Sequence, residues 1–173
     1  MTEFNPAGFY ELDVARGTVR TRHGDRVVVM TDNAAGALVS SALEAAPQVL
    51  RLLGAKLGAE AARNLKNVNG ATPQAVLDEA AAALGVFGWG KLGLQHWGNA
   101  LVLTLQDPPA GARTEALAAL LGGFFSAVTG RELACVGPEA NRFLVIDPSI
   151  LPQVAGWVGA GEGLATIVGK LGA

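Results

Sequence analysis

The sequence predicts an α+β fold, an antiparallel sheet packed with a helical layer. Three observations predict it. Leu101, Leu103 and Leu105 alternate with Val102, Thr104 and Gln106, the two-residue period of a half-buried strand. Leu117, Leu120, Leu121, Phe124, Phe125 and Val128 recur at helical spacing within 112–129. The segments run as strands, three helices, a hairpin, a helix, a hairpin and a helical tail, rather than as alternating β-α-β units.

Residues 9–31 read as strand-rich, with a polar turn at Arg16-Gly17 and a β-branched run of strand length in "RVVVMT". Asp32 or Asn33 offers an N-cap to a small-residue helix over 34–46. Pro47 suits the first turn of a second helix, 48–66, with Leu50, Leu53, Leu57 and Ala61 on one face. "NVNG" at 67–70 breaks it, and Thr72 caps a third helix with Pro73 at its first position, ending near Gly85. Two strands then flank a turn at Trp97-Gly98-Asn99, and Gly130 stops the 112–129 helix. A second hairpin turns around Pro138-Glu139-Ala140, and 148–173 forms an apolar helical tail. That tail carries too many glycines for a robust isolated helix, at about 1 kcal/mol each relative to alanine. It is expected to dock on its own domain or on a partner.

A chain of 173 residues is long enough for a single domain, 1–173, with a real core. Half of it is hydrophobic and only 16% is charged, which implies an oily cavity, a buried subunit interface, or both. The net charge of −2, without a long basic run, argues against a nucleic-acid partner. One cysteine, Cys135, and two histidines, His23 and His96, exclude an internal disulfide and a multi-cysteine metal site. No secretory signal or uncharged transmembrane run is visible, so a cytoplasmic location is expected.

"GWGKLG" at 88–93 satisfies the dinucleotide pattern G-x-G-x-x-G. That fingerprint needs a strand before it and a helix after it, so that helix-terminal N–H groups meet the pyrophosphate. Here the order is reversed, so the glycines are read as thinning a strand for close approach of backbone or ligand. No G-x-S-x-G elbow accompanies the serines, and no catalytic residue is assigned. Cys135 lies in an apolar strand and reads as an inert buried thiol or as pocket lining. His96, beside Trp97, is either an exposed turn residue or a polar anchor. Gly54 and Gly58 form a small-xxx-small pattern that serves tight packing within the fold or across a dimer, and the sequence does not choose.

Several phrases resemble the 4-vinyl reductase domain, whose fold is shared by TRAPP small subunits and the sensor domains of phenol-responsive activators. They are "DRVVVMTDNAAGALVSSALEAA", "LLGAKLGAEAARNL", "GVFGWGKLGLQHWGNALVLTLQD", "ALAALLGGFFSAVTGRELACV" and "NRFLVID", spanning about 25–147. The resemblance implies helices on an antiparallel sheet, dimerisation through helices, and an apolar pocket. In several members late cysteines bind zinc. Here Asn141 or Phe143 stands where such a cysteine is expected, so neither a metal nor another cofactor is expected. Nor does reductase chemistry transfer, since no redox residues are visible.

Two readings follow, neither enzymatic. One is a binding module for an apolar small molecule or acyl chain, lined by Phe87, Trp89, Trp97, Phe124, Phe125 and Cys135 with His96 as anchor, acting through a protein partner. The other is a TRAPP-like assembly subunit, a homodimer or part of a complex, with a vestigial cavity.

Overall fold

The computed structural model describes residues 8–64 and 73–172. Three short strands, β1 (Tyr10–Asp13), β2 (Thr18–Thr21) and β3 (Arg26–Val27), form an antiparallel meander. Three helices follow: α1 (Asp32–Ala45), α2 (Pro47–Asn64) and α3 (Pro73–Val86). The main sheet comprises β4 (Lys91–Trp97), β5 (Ala100–Gln106), β6 (Ala134–Glu139) and β7 (Arg142–Ile146), with α4 (Thr114–Thr129) between β5 and β6. Its order is β4-β5-β7-β6, antiparallel throughout. A short 3-10 turn at Pro148–Ile150 leads into α5 (Leu151–Gly159) and α6 (Leu164–Leu171).

The antiparallel α+β fold is as the periodicities predict. Strand alternation sorts the side chains onto two faces. Leu92 on β4, Leu103 and Leu105 on β5, and Phe143 on β7 meet α4 through Leu117, Leu121, Phe124 and Phe125. The opposite face, with Val102, Ala134, Val136, Leu144 and Ile146, is covered by Val154, Leu164 and Ile167 of the tail. The tail therefore docks on its own sheet. Its glycines break it into two helices rather than one, around the left-handed Gly161 (φ 79). Leu164, Ile167, Val168 and Leu171 give α6 one apolar stripe. Lys170 bridges to Glu162 at 2.6 Å.

α2 and α4 cross almost backbone to backbone. A Cβ on Gly54 would lie 1.9 Å from the Leu120 carbonyl oxygen, and one on Gly58 2.3 Å from that of Phe124. From the other side, a Cβ on Gly123 would lie 1.9 Å from the Arg51 carbonyl oxygen. The small-xxx-small pattern is thus consumed inside the fold.

Several boundaries differ from the sequence expectation. Thr31, not Asp32 or Asn33, precedes α1, because the Asp32 carboxylate instead accepts the Ala110 N–H at 2.9 Å. "RVVVMT" contributes only Arg26 and Val27 to a strand, paired with Arg20 and Val19 of β2. The second hairpin turns at 140–141, with Pro138 inside β6 at an irregularity between Val136 and Glu139. The "NVNG" break and the Thr72 cap lie outside the described residues.

Candidate functional site

The junction between α3 and β4 carries the "GWGKLG" motif. Phe87 and Trp89 hang from the end of α3, their N–H groups donating to the carbonyls of Ala83 (3.1 Å) and Leu84 (3.2 Å). Trp89 is bracketed by Gly88 (φ 78) and Gly90 (φ 100), a double reversal that points the indole inward. Gly90 is also sterically required, since a Cβ there would lie 2.4 Å from the Gln106 carbonyl oxygen. A strand follows, not a helix, so no helix N-terminus meets this loop.

Of the seven candidate lining residues, the fold brings four together. Phe124 and Phe125 are fully buried on α4 with rings edge to face, 5.4 Å between centroids at 83°. Cys135 on β6 belongs to the same cluster, and Trp89 packs against it. Trp89 also packs against Val39, Leu50 and Ala116, which joins α1, α2 and α4.

The other three lie elsewhere. Phe87 turns to the N-terminal meander, where its ring meets buried Phe9 at 5.6 Å. Tyr10 beside it donates its hydroxyl to the Val86 carbonyl at 3.0 Å. Trp97 packs on the tail side of the sheet, its Nε1–H donating to Gln95 Oε1 at 3.2 Å. His96 is exposed, and strand alternation places it on the face opposite Trp97.

Burial pushes the Cys135 thiol up to about 12, with the nearby Arg51 guanidinium pulling weakly the other way. It is a protonated, inert thiol at neutral pH. Arg51 reaches from α2 to donate to the Leu133 carbonyl (2.9 Å), Ser126 Oγ (3.1 Å) and Glu132 Oε2 (2.6 Å).

A groove of about 440 Å³ opens between α3 and β4, lined by Ala81, Ala82, Gly85, Gly90 and Leu92, with Asp78 and Lys91 also in its wall. Its floor residue Leu92 is a member of the cluster that holds Phe124, Phe125 and Cys135. Its β4 wall, Gly90 to Leu92, falls within "GWGKLG", whereas no motif marks the α3 wall, because an alanine run shows helix propensity and nothing else. A second open cleft, about 450 Å³, lies between the end of β5 and the β6–β7 turn and is lined by polar residues including Gln106, Asp107, Asn141 and Arg142.

Charged groups tie the meander to the helices. Arg63 on α2 pairs with both Asp25 and Glu60. Its hydrogen bond is the main cause holding the Asp25 carboxyl below the usual aspartate range. Burial, then the Glu60 charge, raises Tyr10. Burial also raises Glu79 on α3, against the pull of Arg22. Among the described residues no group of three or more His, Cys, Asp or Glu could hold a metal, and no helix is long and apolar enough to cross a membrane.

No family model and no curated protein matches the chain. Its structure is similar to a crystal structure of the phenol-responsive sensory domain of the transcription activator PoxR with phenol. The TM-score is 0.60 at 14% identity, over 82% of this chain and 86% of that one. At that identity the likeness speaks to architecture: this chain has the α+β fold of that sensory domain.

Proposed function

We propose that this chain is a non-catalytic binding module, related to the 4-vinyl reductase domain, for a small apolar or aromatic molecule. The α3–β4 groove carries the reading. Its volume falls within the range of small-molecule pockets, its walls are apolar, and Asp78 and Lys91 supply the few polar groups that orient a ligand. A molecule lodged there would press on Leu92 and, through it, on the Trp89–Phe124–Phe125–Cys135 cluster. The similar sensory domain is described with phenol, an aromatic ring bearing one hydroxyl, and this groove suits that chemistry. Titration of the protein with phenol and larger hydrocarbons, followed by tryptophan emission and native mass spectrometry, tests the proposal. Saturable binding, abolished by Ala82→Phe in a folded protein, is expected. An absence of binding across the panel overturns it.

A second reading, assembly with another protein chain, rests on a separate observation. Leu38 on α1 and Val49 and Leu52 on α2 are half exposed or more, although the opposite sides of the same helices build the core. An apolar helix face left in water marks an interaction surface. Sedimentation equilibrium tests it: a self-associating protein is expected, and a strict monomer that captures no partner overturns it.

A further inference from the structure

The N-terminal meander ends in an unfinished edge. β3 pairs with β2 only at Arg26 and Val27, after which the chain continues to Thr31 before α1 begins. Val28 and Val29 are 79% and 75% exposed and Met30 is 47% exposed, and among the described residues none forms a backbone hydrogen bond with these three. Folded proteins blunt such edges with charge, proline or bulges. The segment "VVM" has none of these, and its two valines are strong strand formers.

We infer that residues 27–31 pair antiparallel with the same residues of a second copy of this chain, about a two-fold axis at Val29. This rests on the assembly reading above, and it puts the contact at the meander edge rather than on the exposed α1–α2 face. The register is self-complementary. With Val29 opposite its own copy, Val28 meets Met30 and Val27 meets Thr31; just beyond the ladder, Arg26 of one copy stands next to Asp32, the first residue of α1, in the other. Arg26 and Asp32 are both exposed, so each opposite-charge pair forms twice at the rim of one apolar ladder. Asp32 Oδ1 takes the Ala110 N–H at 2.9 Å, and a carboxylate retains acceptor capacity beyond that bond. The join makes two three-stranded meanders into one six-stranded sheet and gives the exposed backbone its missing partners. A strand from an unrelated protein could lie on this edge, but it would not need the charge pattern that flanks it.

Two experiments on the whole chain test the pairing. The first is Val29→Cys under mild oxidation. Cα atoms facing each other in an antiparallel ladder are about 4.5–5.5 Å apart, within disulfide reach. Cys135, the native thiol, is buried and does not compete. Rapid covalent dimer is expected for Val29→Cys and little for Val14→Cys, a residue that is 80% exposed on the same meander. The second is charge exchange. Arg26→Asp and Asp32→Arg should each weaken the dimer roughly tenfold, since each disrupts two pairs, and the double exchange should restore it. A dimer that forms without cross-linking at position 29 and ignores the charge exchange overturns this inference while leaving assembly standing. A strictly monomeric protein overturns both, and a dimer restored by the double exchange supports the pairing.

Discussion

Arg51 on α2 and Leu133 ahead of β6 are joined by a 2.9 Å hydrogen bond from guanidinium to carbonyl, and Ser126 of α4 sits between them. Ser126 Oγ accepts the Leu133 N–H at 2.9 Å and donates to the Gly122 carbonyl at 2.7 Å. Three elements therefore meet at one hydroxyl and one guanidinium. Ser126→Ala leaves the half-buried Leu133 N–H without this acceptor and should cost about 1–3 kcal/mol. Glu132→Gln removes only a rim charge, since that side chain is 80% exposed, and should cost less than about 1 kcal/mol. Denaturant unfolding of the two variants checks the ordering.

Two glycine-to-alanine substitutions, one at the α2–α4 crossing and one in α5, should be opposite in sign. Gly54→Ala drives a methyl against the Leu120 carbonyl and should destabilise by about 3 kcal/mol or more, lowering Tm by roughly 6 °C or more. Gly156→Ala, inside α5 with nothing within 4 Å of its Cβ position, should stabilise by about 0.5–1 kcal/mol. Thermal unfolding decides both.

Cys135 should resist alkylation in the native protein. With its thiol pushed up to about 12, the thiolate is scarcer than in a free cysteine by on the order of a thousandfold at pH 8. Labelling should follow opening of the fold and accelerate in denaturant. Fast labelling without denaturant would contradict the burial seen here.

The Asp25–Arg63 contact predicts a pH dependence. The folded-state pKa of Asp25 is depressed, so its contribution is present above the unfolded pKa, close to 3.8, and is lost as pH falls through the lower folded value. Asp25→Asn should therefore flatten the acid limb of the stability–pH curve and leave its neutral-to-alkaline shape unchanged. Stability measured from pH 2 to 7 in the two proteins tests this.

What was legible in the sequence was local. The alternation at 101–106 and the leucine spacing of 112–129 each depend on neighbours within a few residues, and both elements stand where those periods place them. The sheet order is not local, because β7 inserts between β5 and β6. His96 and Trp97 look like one cluster in the sequence, yet adjacent strand residues face opposite ways, so one is exposed and the other joins the tail core. Phe87 and Trp89 differ for a related reason: the left-handed turn at Gly88 separates them, one to the meander and one to the core. The groove was hidden, since Ala81, Ala82 and Gly85 line it by being small, which no motif records.

The backbone-to-backbone crossing also bears on how a mutational map of this protein would read. Gly36, Gly54, Gly58 and Gly123 each have a neighbouring carbonyl oxygen within 2.3 Å of where a Cβ would stand. Saturation mutagenesis would mark all four as intolerant of every side chain, the profile normally taken as the signature of an active site. Their intolerance is architectural, and the groove-lining alanines of α3 would be the more permissive positions.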